Sequence, residues 1–215
     1  METLEKIPYK GYSIHIYQDE NYQSPDDWGD ENIFLVAFHR DFTVERKDFA
    51  HELCESITRN GKYEDDSINH EAKQAIKDYH VFGLEAYIHS GVSLALSKEG
   101  NFPDRQWDVS QLGLVFVSKK ETRYTAKARK MALSLIKEWN DTLSGNVYGY
   151  TIGKDEDEFG GRWGFSGDYA KSGLLESAKE EIDSEIADRM KKHAQRLKSM
   201  ITAHVPLDKR VACNA

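Results

Sequence analysis

Residues 173–202 read GLLESAKEEIDSEIADRMKKHAQRLKSMIT, and Leu175, Ala178, Ile182, Ile186, Met190, Ala194, Leu197 and Ile201 recur in steps of three or four. That spacing puts all eight on one face of a helix. The acids Glu176, Glu180, Glu181, Asp183, Glu185 and Asp188 come mostly before the bases Arg189, Lys191, Lys192, Arg196 and Lys198, which suits the helix dipole. Glu185 with Arg189 and Asp188 with Lys192 add supporting pairs four residues apart. A helix of roughly 34 residues is about 50 Å long, against a radius of gyration of about 17 Å for a chain of this size. Either the helix projects and pairs with a partner, or it lies along a sheet as a long cover. The expected organisation is an α+β core over residues 1–168 with the helix and a short tail over 169–215, so that removing everything after Gly173 should leave the core folded.

Upstream, the patterns are those of a sheet. Residues 12–17 alternate apolar and polar, as a half-buried strand does. Residues 33–38 are a continuous apolar run. Phe49, Leu53 and Ile57 are spaced by four and predict a helix ending near Asn60-Gly61, and a second helix is expected over 69–79. Residues 81–88 and 92–96 flank His89-Ser90-Gly91, a hairpin signature. The LGLVFV of residues 112–117 suits a central strand buried on both faces. Ala128, Ala132, Leu135, Trp139 and Leu143 predict a helix over 125–144, and residues 147–152 and 161–165 predict another hairpin. The expected fold is α+β: a mixed or mainly antiparallel sheet of about six to seven strands, helices packed on it, and the long terminal helix.

Composition excludes several classes. A net charge of -8 opposes general nucleic-acid binding, which depends on clustered Lys and Arg. No apolar window approaches the roughly 20 residues a membrane span needs, and residues 1–13 lack a signal-peptide core, so a cytoplasmic protein is expected. The two cysteines, Cys54 and Cys213, have no zinc-ligand spacing. No P-loop, dinucleotide fingerprint, GxSxG or HExxH string occurs, and no cofactor is expected.

Two groups of residues invite a functional reading. His89 and Ser90, at a hairpin turn beside Tyr87, could meet Trp107, Asp108 and Gln111 at the entry to the central strand. Asp108 would then orient His89 as a base and Ser90 would be the nucleophile; the competing reading is a turn histidine bonded to loop carbonyls. The second group is acidic: Asp19, Glu20, Asp26, Asp27, Trp28, Asp30 and Glu31, with Asp155, Glu156, Asp157 and Glu158 at a hairpin tip. Their spacing matches no calcium loop. They read either as solvated surface or as an anionic face that imitates nucleic-acid phosphates and occupies a basic groove of another protein. Tyr148, Tyr150, Trp163 and Phe165 could form a stacking platform or, equally, stabilise their own hairpin.

The strings YKGYSIHIYQDENYQSPDDWG (9–29), AYIHSGVSLAL (86–96), QWDVSQLGLVFVSK (106–119), NVYGYTIG (146–153) and RWGFSGD (162–168) together resemble an uncharacterised family of accessory proteins of bacteriophages, prophages and plasmids. The resemblance covers roughly residues 9–168 and excludes the terminal helix and the stretch over 69–79. It implies a mobile-element protein acting inside a bacterial host, of a class rich in inhibitors of restriction or CRISPR defence. The partner it implies is a bacterial host protein, such as a nucleic-acid-binding defence complex, with no direct nucleic-acid or membrane contact. The alternatives are a small hydrolase or nuclease-like enzyme using His89 and Asp108, and a self-associating protein that dimerises through the terminal helix.

Overall fold

A computed structural model of the chain describes residues 2–22, 25, 32–39, 42–43, 50–58, 66–89, 91–103, 105–154, 157–204 and 206. Strand β2 (Tyr12–Gln18) realises the alternation noted in the sequence, and β1 (Thr3–Tyr9) precedes it as its antiparallel partner. Lys10 and Gly11 join them with φ of 49° and 80°, the two consecutive left-handed residues that a tight hairpin turn matched to strand twist requires. On its other edge β2 pairs with β8 (Val147–Lys154), and β8 with β9 (Asp157–Ser166), in the order β1-β2-β8-β9. The predicted hairpin over 147–165 is therefore present.

Helix α4 (Leu174–Thr202) covers one face of this sheet. Its Leu174, Ala178 and Ile182 are fully buried on Ile14, Ile16, Tyr150 and Ile152, each large side chain contributing about 1.5–3 kcal/mol. The Tyr150 hydroxyl donates to Glu181 at 2.8 Å and lies 3.1 Å from the Ser177 hydroxyl, so a buried phenol keeps its polar end paired. Past Ile186 no residue is fully buried, and Met190 is 69% exposed and Ile201 56%. The helix is continuous, with its first half in the core and its second half exposed or only half-buried.

Between Asp19 and Val147 the chain builds a second unit, Glu20–Asn146. The Asp19 amide donates to the Val147 carbonyl at 2.8 Å, closing the β2–β8 ladder where the chain leaves and re-enters the first unit. The inserted unit runs β3 (Ile33–His39), β4 (Phe42–Thr43), α1 (Ala50–Thr58), α2 (Asp66–Asp78), β5 (Tyr79–Ile88), β6 (Val92–Leu96), β7 (Val109–Ser118) and α3 (Thr125–Leu143). Its sheet order is β4-β3-β7-β5-β6, and every pairing is antiparallel. As expected, β7 is central and buried on both faces. Val115 and Val117 pack with Ala128, Ala132, Ile136 and Trp139 of α3, whereas Leu114 and Phe116 pack with Cys54 and Ile57 of α1 and Ala75 of α2. Gly113 is obligatory there, because a Cβ would lie 1.9 Å from the Val36 carbonyl oxygen on β3.

The α+β class stands, with the strands in two antiparallel sheets instead of one sheet of six or seven. The units divide at Asp19/Glu20 and Asn146/Val147, not near residue 168. The first half of α4 belongs to the core of the first unit, so a cut at Gly173 would remove Leu174, Ala178 and Ile182 from it. Helix α2 stops at Asp78 because Tyr79 enters β5, where its ring meets Phe34 and Phe116 edge-on. No helix among the described residues is long and apolar enough to cross a membrane.

Candidate functional site

The β5–β6 turn and the entry to β7 are neighbours, as the sequence suggested. The Ile88 amide donates to the Asp108 carbonyl at 3.0 Å, and His89 Nδ1 lies 3.6 Å from Asp108 Oδ2. That distance exceeds a direct hydrogen bond, and the His89 side chain is 68% exposed. Ser90 lies outside the described residues. His89 tilts against Tyr87 at 6.2 Å between ring centroids, and Tyr87 stacks on Phe102 at 5.6 Å. Trp107 stands 85% exposed beside this stack in sequence. The Gln111 amide is already engaged: it donates to the Leu84 and Gly113 carbonyls at 2.9 and 3.1 Å and accepts from the Ser97 hydroxyl at 3.0 Å. It braces the bulge between β5 and β7 at Leu84/Glu85.

A residue that pattern reading passed over organises this end of the sheet. Glu85 is 5% exposed. It accepts from the Lys98 and Gly100 amides at 3.1 and 3.3 Å and from Arg105 through both oxygens. Lys98 has a φ of 69°, so the β6–β7 loop wraps around the carboxylate. The only sequence signal was a charge inside an apolar strand, at FGLEAYI.

Of the acidic candidates, Asp19 is buried at the end of β2 and Glu20 is exposed. Asp157 and Glu158 are exposed on β9, where the Thr151 hydroxyl donates to Glu158 at 3.2 Å. Asp26, Asp27, Trp28, Asp30, Glu31, Asp155 and Glu156 lie outside the described residues. Among the described residues no three His, Cys, Asp or Glu side chains come together to hold a metal ion. The four hairpin aromatics do not share a face: Tyr148, Tyr150 and Phe165 join the core under α4, whereas Trp163 lies over Gly149 against Tyr17 at 5.9 Å.

A second concavity, formed by described residues of the first unit, is basic although the chain is acidic. A groove of about 800 Å³ runs between Lys10, Tyr12 and Lys154 on the sheet side and α4 from Ile186 to Leu197. Tyr12 forms its floor, 5% exposed, with Lys154 Nζ 5.5 Å and the Arg189 guanidinium 5.9 Å from its ring centre. The Phe159 ring meets Tyr12 edge-on at 5.4 Å. Lys10 anchors its turn to α4 through Asp183 at 2.7 Å, and Tyr9 donates to the same carboxylate at 3.2 Å. That contact raises the Lys10 ammonium above its ordinary value and holds Asp183 below its own. Arg189 is held by Glu185 at 2.6 Å. Lys154 and Lys192 have no acidic partner among the described residues. Sequence reading placed Arg189, Lys192 and Arg196 in the later part of the terminal helix, whereas Lys10 and Lys154 reach the same place through the β2–β8 pairing.

Chemically, the His89 end offers an exposed imidazole beside a carboxylate, and the α4 groove offers apolar surface rimmed by cations. No protein-family profile, no curated protein and no solved structure matches the chain.

Proposed function

We propose that the chain is a non-enzymatic accessory protein that binds a bacterial protein through the exposed half of α4 and so modulates it. The observation that carries this is a single helix with two environments. Leu174, Ala178 and Ile182 are fully buried, whereas Met190 and Ile201, on the continuation of the same helix, are largely in water. Water-exposed large apolar groups that share a face beside a groove are the usual mark of a docking surface. The resemblance to phage and plasmid accessory proteins supports a host protein as the partner, with a defence complex as the specific candidate.

The test is capture from bacterial lysate by the tagged full chain and by a chain ending at Asp188. The shorter chain retains every buried residue of α4, so its fold is expected to persist in circular dichroism while capture is lost. Undiminished capture by it would remove the helix from the function. Reversing Asp26, Asp27 and Asp30 tests the acidic surface in the same assay.

A second reading, a hydrolase using His89, is favoured by its 3.6 Å approach to Asp108. It predicts turnover of phosphodiester or ester substrates that His89→Ala and Asp108→Asn each abolish. Activity unaffected by both would end it.

A further inference from the structure

The α4 wall of the groove has a period of its own. Ile186, Met190, His193 and Leu197 follow at four, three and four, the seam spacing that one helix offers to another in a coiled coil. Arg189, Lys192 and Arg196 flank this seam, and Lys154 faces it from the strand side. We propose that the groove receives an amphipathic helix of a partner protein, apolar along its seam and lined with Asp and Glu at the flanking positions. The proposal rests on the docking role given to α4 above and specifies the chemistry of what docks.

Charge decides between occupants. A second copy of this chain meeting the groove with its own exposed half would set Arg189, Lys192 and Arg196 against their equivalents, and like charges across an interface are costly. The acidic stretch of a second copy's α4 would answer that charge, but its Leu174, Ala178 and Ile182 are buried on their own sheet and cannot present a seam. A nucleic-acid backbone would pair with Lys154 and Lys192 and leave Tyr12, Ile186, Met190 and Leu197 facing hydrated phosphate, on a chain of net charge -8. An extended segment would find side chains of a helix along this wall and no free backbone groups to pair with. A helix with apolar seam and acidic flanks meets both the floor and the rim.

The experiment measures fluorescence anisotropy of a labelled four-heptad synthetic peptide, Leu along the seam and Glu at the flanks, titrated with the full chain. Controls are the same peptide with Gln flanks and a labelled DNA duplex. The Glu peptide is expected to bind, with affinity falling as salt rises and about tenfold or more tighter than the Gln peptide. Lys192→Glu with Arg196→Glu, and separately Lys154→Glu on the other wall, are each expected to weaken it without changing the circular dichroism. Equal binding of the Gln peptide, or no binding of either peptide, overturns the acidic helix; the docking role of α4 then still stands or falls on the Asp188 truncation alone. Unchanged binding by Lys154→Glu overturns the groove as the seat. Tighter binding of the duplex overturns the proposal in favour of nucleic acid, and a dimer in sedimentation that excludes the peptide overturns it in favour of a second copy.

Discussion

Arg105 closes on both carboxylate oxygens of Glu85, at 2.8 and 2.7 Å, from a position twenty residues further along the chain. Burial by itself would raise the Glu85 carboxyl. The Lys98 amide, the Arg105 guanidinium and the Gly100 amide outweigh it and hold the group below its ordinary 4.5. A carboxyl that binds its proton less tightly when folded stabilises the fold above its unfolded value and ceases to do so as pH falls through the lower folded one. The acid limb of a stability–pH curve, below about 4.5, should therefore flatten in Glu85→Gln. Arg105→Ala should cost about 1.5–3 kcal/mol at neutral pH, the range for a hydrogen bond to a charged group. Urea midpoints at several pH values check both, and an unaltered acid limb in Glu85→Gln would contradict the assignment.

The two halves of α4 should respond differently to the same kind of truncation. Ile182→Ala opens a cavity on the β2–β8 face and is expected to cost about 2–5 kcal/mol. Met190→Ala and Ile201→Ala, at exposed positions, should stay within about 0.5 kcal/mol. Comparable losses at Ile182 and Met190 would mean that the outer half is packed.

What the sequence disclosed and what it hid divide along one physical line. Local periodicity announced α3, α4, β7 and the β5–β6 hairpin, because each is specified by neighbours a few residues apart. The partition into two sheets depends on β2 pairing with β8 across the inserted residues 20–146, and no local pattern encodes which strands pair. Strand β1 was missed although Lys10-Gly11 between tyrosines is a turn signal; its exposed residues lack clean alternation. His89 and Asp108 lie close together because the end of β5 pairs with the start of β7, with Tyr87 opposite Val109. The basic groove was invisible because its walls come from Lys10, Lys154 and α4, which the fold alone makes neighbours.

Gly149 should tolerate no side chain while Trp163 lies across it. A Cβ there would stand 2.2 Å from Trp163 Cε3 and 2.9 Å from the Arg162 carbonyl, so Gly149→Ala must displace the ring and strain the β8–β9 pairing. A loss of about 1–3 kcal/mol is expected, as for other overpacked sites. Trp163→Leu should recover part of that loss in the double variant, since the indole is the nearer obstacle. Strict additivity of the two substitutions would show that the ring does not rest on Gly149.

Cys54 should behave as a reporter of opening on the α1 side of the second sheet. It is 6% exposed and packs with Val36, Leu114 and Phe116, and burial pushes its thiol up to about 12. The thiolate is the reactive form, so at pH 8 alkylation must wait for the core to open. In a Cys213→Ser background, where Cys54 is the remaining thiol, the labelling rate should rise with urea along the unfolding curve followed by circular dichroism. Labelling that runs ahead of that curve would place a local opening between α1 and the sheet. Labelling as fast as that of a free peptide thiol in native buffer would show that the thiol is not enclosed there at all.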